Sequence, residues 1–309
     1  MPLGEDNRIN GVTYNQIVAT RNASDFNSIR ELMNSITDAT YLNQYLILIP
    51  KGRWFECDIQ GKEFITLVGE DKNETVLYCD GNSTKVTPLD YSFGGQGGKP
   101  LNTVSKMNKH VIFAFHSLNV ENLTIEGKEI KYPIHADNNA TYDLKFYKCI
   151  ITLMESGDES NLVGVGLWGL IERGQTLTFD RCNFRRKDKG RYACFIHTWN
   201  NQNYPCKVTF KNSTFENCSF ASIQDLGSNQ HDVISFDNCV CDYQKYIYYG
   251  GDFGFWLNSN GDHVTSFDAF PYSLWLNYTN TEVENVYPYN GWETQKIVLR
   301  PLYLNYINK

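Results

Sequence analysis

Four stretches of the chain, LKFYKCII (144–151), LTFDRCNF (177–184), VTFKNSTF (208–215) and ISFDNCVC (234–241), share one pattern of apolar-x-Phe-x-x-Cys/Ser-x-apolar. Their Phe146, Phe179, Phe210 and Phe236 lie 33, 31 and 26 residues apart. A second set of segments runs Pro133 to Asp137, Gly164 to Trp168, Phe195 to Trp199, Ser222 to Leu226 and Tyr246 to Gly250. Each carries a branched apolar residue second (Ile134, Val165, Ile196, Ile223, Ile247), at intervals of 31, 31, 27 and 24 residues. Two independent columns thus share one shrinking period. The units are rich in Val, Ile, Thr, Phe and Tyr and alternate every two residues, which predicts short strands rather than helices. Several strands per unit of this length predict a solenoid whose coils stack like residue on like.

The fold class expected is all-β: a single-stranded right-handed parallel β-helix. Phe146, Phe179, Phe210 and Phe236 stack inside it, beside a small-residue ladder of Cys149, Cys182, Ser213 and Cys239, where thiols act as compact hydrophobes. Open solenoid ends need covers. Ser28-Ile29-Arg30-Glu31 has capping-box spacing, and Ile29, Met33 and Ile36 then form one stripe of a short helix at about 28–37 that plugs the first coil. The expected organisation is an N-terminal arm over 1–20, the β-helix over 21–257, and a C-terminal cap or interaction segment over 258–309. That last segment is dense in aromatics (Phe267, Phe270, Tyr272, Trp275, Tyr278, Tyr287, Tyr289, Trp292).

Composition narrows the partners. Hydrophobic residues make up 41% of the 309, aromatics 14% and charged residues 20%, as in a globular strand-rich protein. The net charge of −7 is spread along the chain, and the one basic cluster, Arg185 to Arg191, reads as a solvated loop, so no nucleic-acid partner is expected. No apolar run is long enough to span a bilayer, so no membrane partner is expected either. Nine cysteines form no CxxC pair, and an odd number cannot all pair within one chain, so neither a disulfide framework nor a zinc site is indicated. Eight Asn-x-Ser/Thr sequons, among them Asn122, Asn212 and Asn217, read as the by-product of an Asn-rich composition. Asp158, Glu159 and Asp188 lack the oxygen-rich spacing of a calcium loop, and the glycines of 94–98 lack nucleotide-loop order. No metal and no cofactor is expected.

With period two, the third and fifth residues of the five segments face away from the core. The third column reads His135, Gly166, His197, Gln224, Tyr248, and the fifth reads Asp137, Trp168, Trp199, Leu226, Gly250. Imidazole, carboxylate, amide, phenol and indole on one face suit sugar recognition. In this alignment His135 and His197 stand about 10 Å apart across Gly166, leaving a notch for a sugar ring. Trp168 and Trp199 would be neighbours offering flat apolar faces, with Asp137 as an acceptor. The candidate binding residues are His135, Asp137, Gly166, Trp168, His197, Trp199, Gln224 and Tyr248. The same aromatics also suit packing beneath a loop or a second subunit, so both readings stay open. For catalysis the candidates are His135, Asp137 and His197, since an imidazole can act as base near neutral pH. Glycoside hydrolysis, however, needs two facing carboxylates, and Asp137 has no acidic partner in its columns. The pattern therefore favours binding over catalysis.

Ile17-Val18-Ala19, Asp25-Phe26-Asn27-Ser28-Ile29, Leu46 to Trp54 and Ile65-Thr66-Leu67-Val68-Gly69-Glu70 resemble the start of pectin methylesterases, within the pectin-lyase-like superfamily. The resemblance implies first strand, capping helix, second strand and first full turn of a β-helix. That family's catalytic stretches have no counterpart here, and Asp252-Phe253-Gly254-Phe255 is a superficial echo. No esterase residue carries over. The centre, Tyr132 to Asp137, Gly164-Val165-Gly166, Cys182-Asn183-Phe184 and Phe195-Ile196-His197, is similar to β-helix proteins of phage tails and appendages. That resemblance implies a virion protein meeting host cell-surface glycan, in contact with other virion proteins, and able to form a homo-oligomer such as a trimer. The opening MPLGEDNRINGVTYNQ lacks the marks of a signal peptide, so release within an assembled particle is the expected route out of a cell, with secretion or a periplasmic location as the alternative. Two other functions stay open: a polysaccharide lyase or glycosidase using the same face, and a purely structural virion protein.

Overall fold

The computed structural model describes residues 8–9, 12–13, 16–19, 28–86, 98–105, 109–114, 116–130, 132–137, 143–156, 165–170, 176–186, 191–199, 207–225, 232–241, 244–245, 274–279, 281–287 and 295–299, with side-chain detail for 28–86, 98–105, 109–114, 116–130, 132–136, 143–154, 176–186, 193, 207–218 and 235–240.

One coil shows the whole design. The chain runs through Asp143–Tyr147, turns into Ile150–Ser156, crosses to Val165–Leu170, and returns as Thr176–Asp180, which pairs in parallel with Asp143–Tyr147. Repetition of this path builds three sheets along one axis. The first runs from Gln16–Ala19 to Leu274–Thr279, the second from Gly52–Phe55 to Thr281–Tyr287, and the third holds five strands, from Ile112–Ala114 to Cys218–Asp225. Gln295–Leu299 adds to the second sheet as an antiparallel edge. The protein is a right-handed parallel β-helix, as its repeats predict.

The corner between the first and second sheets explains the repeat. Asn122, Lys148, Arg181, Asn212 and Asn238 all adopt the left-handed conformation, with φ of 55, 53, 55, 48 and 52°. Such a residue bends the chain sharply and aims its successor inward. Those successors are Leu123, Cys149, Cys182, Ser213 and Cys239, all buried. Each corner is tied to the next by its backbone, as when Lys148 N–H donates to the Asp180 carbonyl and Arg181 N–H to that of Lys211, both at 2.9 Å. Asn tolerates this conformation better than most residues, which accounts for part of the sequon count. Asn122 and Asn212 sit at these corners with Nδ2 donating to the Gly69 carbonyl and to Asp180 Oδ1. Asn217, at φ 58°, donates to the Arg186 carbonyl.

Inside, Phe146, Phe179, Phe210 and Phe236 form the expected column, with ring centroids 4.9, 5.2 and 4.9 Å apart and planes within 10° of parallel. A second column, Phe184 and Phe215, stacks at 4.8 Å and meets the first edge-on, with Phe184 5.4 Å from Phe179. Offset stacks and edge contacts are the favoured aromatic arrangements, so the two columns lock together. The thiols of Cys182 and Cys239 point at the carbonyls of Phe146 and Phe210. Burial pushes the Cys182 thiol up, and that of Cys239 to about 12, so these groups stay protonated and serve packing.

The plugging helix spans Ile29–Ser35, with Ser28 Oγ accepting from Glu31 N–H at its start. Ile29, Leu32, Met33 and Ile36 are buried against the first coils. Both helix ends are held by one segment: Glu56 Oε1 accepts from Ile29 N–H at 2.6 Å, and Lys62 Nζ donates to the carbonyls of Met33 and Ile36. A side-chain acceptor at the N-terminus and a cation at the C-terminus both match the helix dipole.

Candidate functional site

The five-stranded sheet carries four of the five segments singled out by the sequence, the fifth (Tyr246 to Gly250) lying outside the described residues, and its register decides which of them are neighbours. Ile134 pairs with Val165, His135 with Gly166 and Asp137 with Trp168, as aligned above. The next step differs. Val165 pairs with Cys194, Gly166 with Phe195, Leu167 with Ile196, Trp168 with His197 and Leu170 with Trp199. The strand Arg191–Trp199 thus sits two residues along from the expected alignment. Hydrophobic patterning is blind to this slip, because a two-residue shift leaves every side chain on its own face. Both Cys194 and Ile196 meet the demand for an apolar residue opposite Val165.

The slip rearranges the candidates. His135, Gly166, Phe195 and Ser222 share one column, so His197 does not stand across Gly166 from His135. Asp137, Trp168, His197 and Gln224 share the other, one residue from each of four consecutive coils. Trp199 is level with Leu170, so it is not the lateral neighbour of Trp168. Tyr248 lies outside the described residues, as do Leu226 and Gly250.

His135 is buried, with 8% of its surface exposed, whereas an outward position on a solvated sheet would be open. Its imidazole is packed against the rings of Tyr132 and Phe113, each with centroids 5.3 Å away. Its Nδ1 lies 3.0 Å from His110 Nε2, and His110 Nδ1 lies 3.1 Å from Asp58 Oδ1. Of the two readings left open by the sequence, sugar contact and packing, the burial of His135 is in keeping with packing at this residue. Asp58 is wholly buried, and that burial pushes its carboxyl up, opposed by the bond to His110. Beside it the Cys57 thiol is pushed up by its hydrogen bond with Cys79 and by burial.

Asp58 and His110 were not among the sequence candidates, although a signal for their neighbourhood exists. Ile112 fits the branched-apolar column, since it pairs with Ile134, and an isolated bridge joins Ile112 to Ile59. Extending the segment alignment back by these two coils brings Phe113 level with His135 and places Asp58 and His110 just ahead of the same strands.

Other polar groups are spent on structure. The Arg185 guanidinium of the basic cluster pairs with Glu216 at 2.9 Å, and Arg186 is buried. A cavity of about 380 Å³ opens near the helix C-terminus, lined in part by Asn34, Gln60, Glu63 and His116, but the Lys62 ammonium beside it already serves the helix carbonyls. Among the described residues, no three His, Cys, Asp or Glu side chains converge as metal ligands.

In fold this chain is similar to pectin methylesterases of known structure. A pectin methylesterase of the rice weevil superposes with a TM-score of 0.51 at 10% identity, over 89% of this chain and 90% of that one. The carrot enzyme gives 0.45 at 12% identity, over 89% and 84%. The ORF18 protein of Geobacillus virus E2 gives 0.27 at 13% identity, over 91% and 63%. At these identities the likeness concerns fold alone. No protein-family model matches the sequence, and no curated protein does.

Proposed function

We propose that this chain is a polysaccharide-binding β-helix of a phage tail or surface appendage, and that it meets host cell-surface glycan along the five-stranded sheet. The observation that carries the reading is the column Asp137, Trp168, His197 and Gln224, which the register assembles from four consecutive coils. At about 4.8 Å per coil the column spans about 14 Å, room for a short oligosaccharide. It combines a carboxylate acceptor, an indole, an imidazole and an amide, the mix of hydrogen-bonding and flat apolar groups that sugar recognition uses. The virion setting rests on the similarity of the central motifs to phage appendage proteins.

The test is a glycan array together with binding to host cells, using the full chain and the variants Trp168→Ala and His197→Ala. Binding that falls at least tenfold in both variants is the expected result. An absence of signal on both, or binding that both variants retain, overturns the reading. Release of oligosaccharide products from host polymer would replace it with an enzymatic one. Detection of the chain in purified particles by mass spectrometry tests the virion setting separately.

A further inference from the structure

Asp58, His110 and His135 come from three successive coils, just before or within the strand positions of Ile59, Ile112 and Ile134. They are joined end to end by two hydrogen bonds of 3.1 and 3.0 Å, and their exposures are only 1%, 1% and 8%. Phe113 stacks on His110 at 4.9 Å, and the two imidazoles lie 4.6 Å apart. A neutral imidazole has one N–H and one lone pair, so a bond at one ring nitrogen dictates the role of the other. Applied twice along the chain, that rule leaves only two arrangements in which both bonds are made and both rings are neutral.

In the first, the Asp58 carboxylate accepts from His110 Nδ1–H, His110 Nε2 accepts from His135 Nδ1–H, and His135 Nε2 carries a lone pair. In the second, a protonated Asp58 donates to His110 Nδ1, His110 Nε2–H donates to His135 Nδ1, and His135 Nε2 carries a proton. The two differ by a single proton. We infer that Asp58, His110 and His135 work as a one-proton relay, in which uptake at His135 Nε2 reverses both hydrogen bonds and deposits a proton on Asp58.

The transfers balance. When a local opening uncovers His135 Nε2, an acid in solution gives it a proton, the Nδ1 proton of His135 passes to His110 Nε2, and the Nδ1 proton of His110 passes to the Asp58 carboxylate. The group goes from a charge of minus one to neutral without forming an imidazolium, the species that a site this dry penalises most. The surroundings of Asp58 pull both ways. Burial favours the neutral carboxyl, while the Arg30 charge on the plugging helix favours the ionised one. Cys57 Sγ stands 3.5 Å from Asp58 Oδ2, the Lys109 ammonium is bonded to the Gly81 carbonyl at 2.7 Å, Glu56 is engaged with Ile29 N–H, and Tyr132 faces His135. His135 is the least buried member of the three, but its Nε2 is itself covered, so uptake at that end requires a transient local opening. The consequence is a change of sign at His135 Nε2, from acceptor to donor, on the column that continues to Gly166. This inference stands apart from the polysaccharide reading and holds whatever the chain binds.

The experiment is a titration of the full chain by NMR from about pH 5 to about pH 8, reading the ring nitrogens of both histidines and the Asp58 carboxyl carbon. The expected result is one shared midpoint, at which both rings exchange the Nδ1–H for the Nε2–H tautomer while the Asp58 carboxyl signal moves with them. In Asp58→Asn the shared transition disappears. Separate midpoints, a doubly protonated ring, or an Asp58 signal that stays still through the histidine transition would overturn the relay. The wild-type titration decides the matter even where the variant does not fold.

Discussion

The Glu56 carboxyl group and the Ile29 N–H lie 2.6 Å apart, so the first turn of the plugging helix is held by a buried ionisable group just past the strand Gly52–Phe55. Burial pushes the Glu56 carboxyl up from an ordinary value near 4.5 to about 7, against the opposing pull of the helix N–H groups. The folded chain therefore holds this proton more tightly than the unfolded chain. The associated stability is fully present below the unfolded value and is lost as pH rises through about 7. Glu56→Gln keeps an acceptor for Ile29 and removes the charge. Thermal unfolding of the variant should match wild type at pH 4 and exceed it at pH 8, by on the order of 3 kcal/mol as an upper bound. Parallel curves at the two pH values would refute the assignment.

At the other end of the helix, Lys62 Nζ serves the carbonyls of Met33 and Ile36. Lys62→Met keeps the aliphatic stem but leaves those carbonyls without their cation, a loss of about 1–3 kcal/mol for charge-assisted bonds at a helix C-terminus. Hydrogen exchange should quicken at the amides of Ile29–Ser35 and stay unchanged in the Phe179 and Phe210 coils. Uniform quickening along the chain would contradict a local role.

Phe179 is stacked on both faces, by Phe146 and Phe210, and meets Phe184 edge-on. Phe179→Ala opens a cavity bounded by other buried rings, with a cost of about 3–5 kcal/mol. Phe179→Leu should recover more than half of that loss. The urea midpoint measures both, and an alanine variant with an unchanged midpoint would mean that the column does not carry the core.

Lys148 holds the left-handed conformation at φ 53°, and its N–H donates to the Asp180 carbonyl. Asn occupies the same corner at 122, 212 and 238, so Lys148→Asn should leave the unfolding midpoint at or above wild type, within about 1 kcal/mol. Lys148→Pro removes the donor and forces φ negative, and should cost about 3 kcal/mol or more. Equal tolerance of both substitutions would be incompatible with the corner.

The register is open to a direct chemical test. Trp168 and His197 are level on neighbouring strands, with Cα atoms about 5 Å apart, within disulfide range. Trp168 and Trp199 are offset by two residues, about 8 Å, which is too far. Oxidation of the paired variants Trp168→Cys with His197→Cys, and Trp168→Cys with Trp199→Cys, followed by peptide mapping, should give the cross-link only in the first. The reverse outcome would restore the alignment based on branched apolar residues.

The fold was legible because its repeat is written in large inward side chains. Phe146, Phe179, Phe210 and Phe236 recur with Cys or Ser three residues on, and the structure explains that spacing by a left-handed residue between them that turns the ladder inward. The helix was legible from Ser28 and its apolar stripe. The final apolar position of the same motif, Ile151, Phe184, Phe215 and Cys241, marks the second column, while the stacking of its two rings on each other is a matter of tertiary packing.

The sequence by itself determined the strand-rich solenoid, the helix that plugs it, and the set of residues facing each way, because the strand period of two and the coil period both act through local alternation and core volume. Tertiary structure alone decided who stands beside whom. It joined Asp137, Trp168, His197 and Gln224 into one column and separated His197 from His135, since a two-residue slip changes no facing residue and only the backbone ladder distinguishes the two alignments. It also brought Asp58 and His110 to His135 from coils 52 and 25 residues apart in sequence, a contact that local pattern does not encode because it depends on how successive coils are stacked.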